Sequence, residues 1–274
     1  MKKYRIGMIG LALLLLTASC SINREDSREK ATAPDYTPKQ VISKAEMAFE
    51  KLRGLSVNLE ISQHMQGYEA GSNVNLDSKI QTDILTEPVA FHQTSEIKNA
   101  LTGEVQLSEA YYTNEGMFLY DGSRREWKRY SPEIASATIL PFAQMNPAAE
   151  LHTAEGLSET LSMTKTSEEY IVTLTANGGK HEEELKKIIM GRMPAILQRN
   201  KEFLERMKIT AFNYELAVNK KSFLPSRFNA RAEIVLFNAG NSVTMKQEME
   251  GFYKNFNKIR EISVPESIQQ LAGE

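Results

Sequence analysis

Long stretches of the chain alternate apolar and polar residues with a period of two. Residues 55–61 carry leucine, valine or isoleucine at every odd position, and in residues 74–84 the large apolar side chains all fall on even positions: Val74, Leu76, Ile80 and Ile84. Similar segments follow as far as Tyr130, separated by turn sequences such as Asn114-Glu115-Gly116 and Asp121-Gly122. Because successive side chains of a strand point to opposite faces, and short turns join antiparallel neighbours, the pattern predicts an antiparallel meander with one buried face.

The same pattern returns later in the chain. Residues 169–175 predict one strand that stops at Asn177-Gly178-Gly179, and residues 208–218 predict a second strand. Residues 230–237 and 243–253 predict a final hairpin. The predicted sheet is therefore built from two groups of strands that are far apart in the sequence.

A helix is predicted for residues 38–53, where apolar residues recur at helical spacing. Thr37 and Gln40 form a capping-box pattern, and Pro38 occupies the first helical position. Gly54 suits the position that ends a helix. One face of this helix is apolar, so we expect it to lie against the sheet.

Two further segments interrupt the alternation. Residues 132–161 mix apolar side chains with alanine, serine and proline, which predicts two short helices with a break between them. Residues 181–207 predict a long helix, and Pro194 should kink or divide it because proline removes a helical hydrogen bond.

These elements together predict an α+β domain that spans residues 38–274. The sheet has one apolar face that must be covered, and the predicted covering segments are residues 38–53, 133–161 and 181–207. If they pack tightly, the space beneath them is a solid core; if they pack loosely, it is a pocket for an apolar ligand.

The N-terminus has the composition of an export signal. Lys2, Lys3 and Arg5 precede an apolar run over residues 6–16, which is shorter than the ~20 residues that a spanning helix needs. Cys20 follows and is the only cysteine. An ordinary secretory signal with an incidental cysteine is one interpretation.

The stretch Thr17-Ala18-Ser19-Cys20 resembles the lipobox of bacterial lipoproteins, although Thr17 stands where leucine is usual. The resemblance implies that residues 1–19 are a signal peptide and that Cys20 carries fatty acyl chains such as palmitate. It also implies export and anchoring to the outer face of the cell membrane. Residues 20–37 are polar and charged, and we expect a flexible tether there.

Composition narrows the classes of function. Apolar residues make up 41% of the chain, which suffices for a core. Residues 1–19 contain three cations and no acid, so the remainder has 30 basic against 35 acidic side chains, a net charge of −5. A nucleic-acid partner would require a basic excess, so we expect none. With a single cysteine there is no internal disulfide and no cysteine-based metal site.

No catalytic pattern stands out. The four histidines lie far apart in the sequence, and the chain has no nucleophile elbow, phosphate loop or zinc-protease motif. The sequence therefore predicts a protein that is not an enzyme and that uses no cofactor or metal. The histidines are His64, His92, His152 and His181.

Three short motifs resemble features of the LolA/LppX/LprG-type lipoprotein-carrier superfamily, including its uncharacterised Gram-positive members. They are the strand, turn and proline of residues 214–225, the segment at 55–59 directly after a helix, and Val264-Pro265-Glu266. The resemblance implies an incompletely closed antiparallel half-barrel with helices across its concave face as a lid. Known members hold acyl chains, lipoproteins or lipoglycans there.

Two functions remain open at this point. The first is a membrane-anchored, non-catalytic lipoprotein that binds an acyl chain or lipid in the half-barrel. The second is a solidly packed envelope lipoprotein that acts as a protein-interaction or sensing module, with a protein partner that the sequence does not identify. For the first, the expected cavity-lining residues are Leu55, Val57, Leu59, Ile61, Val74, Leu76, Ile80, Ile84, Ile139, Phe142, Ile189, Met193, Phe212, Tyr214, Leu216, Ile234 and Leu236.

Overall fold

A computed structural model describes residues 36–67, 73–136, 145–153, 157, 160–190, 201–238 and 241–272. These residues form one antiparallel sheet of eleven strands together with a few short helices. The strands are β1 (Gly54–Gly67), β2 (Val74–Thr86), β3 (Val89–Asn99), β4 (Val105–Thr113), β5 (Gly116–Asp121), β6 (Glu126–Tyr130), β7 (Leu161–Lys165), β8 (Glu169–Asn177), β9 (Met207–Asn219), β10 (Pro225–Asn238) and β11 (Asn241–Lys254). The helices are α1 (Pro38–Glu50), α2 (Pro132–Ser136), α3 (Pro147–Thr153), α4 (Glu182–Met190), α5 (Lys201–Arg206) and α6 (Glu266–Leu271).

The sheet consists of two meanders joined at its centre. Its strand order is β6-β5-β4-β3-β2-β1-β11-β10-β9-β8-β7. We call β1–β6 the first arm and β7–β11 the second arm; the two meet where β1 pairs with β11. The edge strands are β6 and β7, and the sheet is not closed. The predicted antiparallel architecture is confirmed.

Register assigns every strand residue to one of two faces. Leu55 lies opposite Ile84 on β2, and Val57 lies opposite Tyr253 on β11. Directly paired residues point the same way, so these side chains share one face, which we call the inner face. The outer face carries cross-strand ion pairs such as Arg231 with Glu248, whose nitrogen and oxygen lie 3.0 Å apart.

Helix α1 crosses the second arm at the end where β1 begins. Tyr36, just before the helix, packs edge-on against Tyr170 of β8, and Phe49 packs edge-on against Tyr253 of β11, each with ring centroids 6.0 Å apart. Because β9 and β10 lie between these strands, α1 spans four strands. The predicted capping box is confirmed, with Gln40 N–H donating to Thr37 Oγ1.

Gly54 has a different role from the predicted one. The helix ends at Glu50 with Lys51 as its C-cap, and Gly54 is the first residue of β1. A Cβ on Gly54 would lie 2.8 Å from the carbonyl oxygen of Ile84. The glycine is therefore explained by the close approach of β1 and β2, and the prediction of a helix stop was wrong.

Helices α3 and α4 lie over the inner face of the second arm. The Tyr214 hydroxyl of β9 donates to the carbonyl oxygen of Pro147 at 3.1 Å. Asn146 Nδ2 donates to the Glu46 carbonyl oxygen of α1 at 3.4 Å, which links α3 to α1. On α4, Leu185 is fully buried in the same apolar core. These contacts make the second arm and its helices one packed unit.

The C-terminal segment covers part of the outer face. Val264, only 6% exposed, packs in a cluster with Tyr111 of β4 and Phe118 of β5. Trp127 of β6 and Ile268 of α6 pack against that cluster. Residues 264–268 therefore cover the part of the first arm's outer face that Tyr111 and Phe118 form.

The structure differs from the sequence prediction in two further elements. Residues 161–165 form β7, which the apolar spacing of residues 132–161 did not reveal. The long helix predicted for 181–207 is represented by α4 and α5, and Met207 already belongs to β9. Pro194 and the kink predicted there lie outside the described residues.

Candidate functional site

The strand residues predicted to line a cavity all lie on the inner face. On β1 and β2, Leu59 pairs with Ile80. On the second arm, Leu216 pairs with Phe228. The β9–β10 register shifts between Glu233 and Ile234, but pairing with Met245 of β11 keeps Ile234 on the inner face. The residues that the structure places on this face are Leu55, Val57, Leu59, Ile61, Val74, Leu76, Ile80, Ile84, Phe212, Tyr214, Leu216, Ile234 and Leu236.

Burial divides these residues into two groups. Leu55, Tyr214 and Leu216 have no exposed surface and pack into the core beneath the helices, as does Ile189 of α4. Leu59, Val74, Leu76 and Leu236 are partly exposed. Of these, Val74, Leu76 and Leu236 lie toward the end of the strands that is away from α1. On the second arm, the inner face is therefore mainly a packed core beneath helices and not the wall of an open cavity.

Four of the residues predicted to form sites lie outside the described part of the chain. Cys20, the predicted lipidation site, lies outside the described residues. Ile139, Phe142 and Met193, predicted to line the cavity from the helices, also lie outside them.

The first arm presents a different inner surface. In register with Leu55 and Ile84, an apolar row continues across β3 to β6. Phe91 and Tyr112 stack in this row with ring centroids 5.7 Å apart. The members on β3–β6 remain partly exposed: Phe91, Tyr112, Met117 and Tyr130. We call this set the apolar row.

Sequence reasoning did not select the apolar row. Its members are spread over short strands with mixed composition, so no single strand shows a strong pattern. One signal was available in the sequence: continuing the register from Ile84 through the two-residue turn Glu87-Pro88 would have placed Phe91 beside it.

Beside the apolar row lies a band of neutral polar groups. Thr82 pairs with Gln93 on the inner face, and the Thr82 hydroxyl donates to Gln93 Oε1 at 3.3 Å. One step further along the strands, the hydroxyls of Ser95 and Ser108 lie 2.6 Å apart. We call Thr82, Gln93, Ser95 and Ser108 the polar band. All four are partly exposed, so the inner face of the first arm combines apolar and hydrogen-bonding surface.

Two hollows outside the first arm's inner face differ in chemistry. One of about 220 Å³ lies between α1 and α3 and is bordered by Ile42, Leu151 and His152. Another of about 350 Å³ opens on the outer face, where charged side chains such as Glu60, Lys79 and Glu250 surround it. The first is too small for a long acyl chain, and the second is too polar to hold one.

His92 and His152 each form a side-chain contact between neighbouring elements. His92 on β3 lies 2.9 Å from Glu109 Oε1 and stacks on Tyr111 at 4.2 Å between ring centroids. Burial, together with the hydrogen bond that the Tyr111 hydroxyl donates to Glu109, raises the pKa of Tyr111 to about 12. His152 of α3 pairs with Glu46 of α1 at 2.6 Å. Both histidine pairs join neighbouring elements.

Metal sites and membrane-spanning helices are absent from the described part of the chain. No group of three histidine, cysteine or acidic side chains there is placed to hold a metal ion. None of the helices described is both long enough and apolar enough to cross a membrane.

One protein-family model matches most of the chain. The model of DUF6612, a family of unknown function, matches residues 37–273. A search of curated protein sequences finds no match.

Solved structures to which the chain is similar at low identity include the following three proteins. A beta-barrel-like protein of the domain of unknown function DUF1849 from Brucella abortus shares 8% identity over 73% of this chain and 99% of its own, with a TM-score of 0.25. A DUF1329 family protein from Desulfovibrio piger shares 10% identity over 82% and 93%, with a TM-score of 0.24. Lipovitellin shares 6% identity over 79% of this chain but only 26% of its own, with a TM-score of 0.31.

Proposed function

We propose that this chain, which belongs to the family of unknown function DUF6612, is an exported, membrane-anchored and non-catalytic lipoprotein that binds an acyl chain or lipid. The ligand site is the inner face of the first arm. One observation carries the proposal: the apolar row stays partly exposed there, whereas the same face of the second arm is packed beneath helices. The resemblance to LolA/LppX-type carriers is part of this proposal.

The apolar row suits an acyl chain in chemistry and in extent. It begins beside the buried Ile84 of β2 and continues through Phe91, Tyr112 and Met117 to Tyr130 of β6. Neighbouring strands lie about 4.8 Å apart, so these five strands span about 19 Å. Each methylene removed from water contributes about 0.8 kcal/mol, so ten of them supply about 8 kcal/mol before the cost of immobilising the chain.

The helices of the second arm supply the lid in this proposal. Helices α1, α3 and α4 already cover the adjoining inner face, and hydrogen bonds join α3 to α1 and to β9. Because the sheet is open between β6 and β7, curvature that brings its two arms together would form a half-barrel with the helices between them. Opening then requires the helix group to move away from the first arm.

The proposed anchor fits the way in which α1 begins. Tyr36 packs edge-on against Phe223 at 5.5 Å, and Lys44 lies 5.0 Å from the centre of the Tyr36 ring. These contacts fix the start of the folded domain, so a tether over residues 20–37 would leave the domain at a defined point. Two acyl chains on Cys20 would be a sufficient anchor, because a single chain binds membranes only marginally.

A matched pair of variants tests the site. In the full-length Cys20→Ser protein, Leu119→Lys adds a charge on the inner face of β5, whereas Leu107→Lys adds the same charge on the outer face of β4, where Leu107 is exposed. We expect the inner variant to lose binding of a fluorescent fatty acid at least tenfold and the outer variant to retain it. Equal binding by both would contradict the site.

A protein-interaction module is the second candidate function. Leu101, Val105 and Leu107 are exposed by 57, 48 and 53% around the β3–β4 turn. Clustered exposed aliphatic side chains are typical of contact surfaces. This candidate gains support if the purified protein binds no lipid and Leu107→Lys abolishes a pull-down partner.

A further inference from the structure

The inner face of the first arm changes from apolar to polar along the strands. On β3, Phe91 belongs to the apolar row, while Gln93 and Ser95 are the next inner-face residues. Each two-residue step advances about 6.8 Å along an antiparallel strand. A molecule that lies on the apolar row therefore meets hydrogen-bonding groups within one or two steps.

We propose that the polar band is a subsite for the uncharged, hydrogen-bonding head group of an amphiphile whose chain lies on the apolar row. The inference rests on the proposed function and deepens it by naming the class of ligand. Glycerol esters, which carry hydroxyl and ester carbonyl oxygens without a charge, have this chemistry.

The polar band offers donors for such a head group. Gln93 Oε1 accepts from Thr82, and Gln93 Nε2 has no acceptor among the described residues. One of the two serine hydroxyls donates to the other, so the acceptor of that pair, Ser95 or Ser108, keeps its own hydrogen. A carboxamide N–H and a hydroxyl therefore remain to donate to ligand oxygens.

Charge at the border of the band favours a neutral head group. Asp121 lies opposite Ser108 on the same face, and Arg124 pairs with it at 3.6 Å. Glu126 pairs with Lys128 at 3.3 Å and with Arg124 at 3.6 Å. Two cations thus balance two carboxylates here, and among the described residues at this border neither cation is left to pair with a phosphate or carboxylate head group.

The state of Asp121 reinforces that selection. Hydrogen bonds from Ser123, and the neighbouring Arg124, hold the pKa of Asp121 below its usual range. Its carboxylate is therefore charged at neutral pH, and an acidic head group on Ser108 would be repelled by it. An uncharged head group avoids this repulsion.

Competition among ligands with the same acyl chain tests the proposal. The full-length Cys20→Ser protein is loaded with an uncharged pyrene-labelled alkyl probe, which monooleoylglycerol, oleic acid or lysophosphatidic acid then displaces. We expect monooleoylglycerol to bind at least tenfold more tightly than either acid. Tighter binding of either acid would overturn the neutral subsite.

A substitution pair locates the effect. Gln93→Leu should weaken monooleoylglycerol binding about tenfold and leave probe binding unchanged, whereas Gln81→Leu, the same change on the outer face, should alter neither. If Gln93→Leu fails to fold by circular dichroism, the Ser95→Ala and Ser108→Ala double variant replaces it with the same expectation. An unchanged monooleoylglycerol affinity overturns the subsite and leaves the proposed function standing; failure of the probe to bind wild type overturns both.

Discussion

At the scale of single residues, one close contact lies on the inner face where β10 meets β11. Gly251 pairs with Phe228, whose ring covers the glycine. A Cβ at Gly251 would lie 2.0 Å from the Phe228 ring. Phe228 has no exposed surface and packs against Tyr214 and Tyr253, so its ring has no room to move aside.

Gly251→Ala should therefore destabilise the fold. The added methyl overpacks a closed core, which costs about 1–3 kcal/mol in the free energy of unfolding. Urea denaturation measures the loss, with Glu248→Ala on the exposed outer face as the control. A variant with the midpoint of wild type would show that the Phe228 ring has another position.

Tyr111 gives a pH dependence that can be predicted by sign. Its pKa rises to about 12 in the folded protein from the ordinary value of 10. Below pH 10, Tyr111 is protonated in both the folded and the unfolded chain, so its full contribution to stability is present. Between pH 10 and 12, only the folded state keeps the phenol proton, so the free energy of unfolding decreases as the pH rises.

Tyr111→Phe removes this titration. We expect the difference in unfolding free energy between wild type and Tyr111→Phe to shrink as the pH rises from 10 to 12, measured by urea denaturation at each pH. A constant difference would mean that Tyr111 titrates normally in the fold.

At the scale of elements, sequence patterns correctly predicted the features that depend only on neighbouring residues. The capping box at Thr37 and the alternation of residues 55–61 involve near neighbours only, and both were found in the structure. Strand β7 was not predicted because Leu161 also continues the helical spacing from Leu157, and only pairing with β8 distinguishes a strand there. The role of Gly54 likewise depends on contact with β2.

The packing of the C-terminal segment is a second feature that local sequence patterns do not predict. Val264 packs on Tyr111 and Phe118, and Trp127 packs against the same cluster. Trp127 is the only tryptophan in the chain, so its fluorescence reports on this contact alone.

Val264→Asp should detach the segment from the first arm. A carboxylate buried without a partner is strongly unfavourable, and water would then reach the indole. We expect a shift of Trp127 emission to longer wavelength, whereas Leu271→Asp, at a side chain that is 70% exposed, should leave the emission unchanged. No shift in Val264→Asp would place the segment elsewhere.

At the scale of the whole molecule, the sequence predicted an open antiparallel sheet and one apolar face. It did not predict how that face divides between a packed second arm and a partly exposed first arm. The division depends on β1 pairing with β11, which brings together residues almost two hundred positions apart, such as Val57 and Tyr253. Alternation within one strand indicates neither that pairing nor which helices lie above the sheet.

The central claim is that the first arm binds a lipid, and the most direct measurement is mass spectrometry of the ligand that the protein retains. The full-length Cys20→Ser protein, which lacks the thiol proposed to be acylated, is purified from its native host and its lipids are extracted and quantified. We predict about one acyl-bearing molecule per chain, reduced in Leu119→Lys and unchanged in Leu107→Lys. The absence of any stoichiometric acyl ligand, together with no uptake of a fluorescent fatty acid, would contradict the claim.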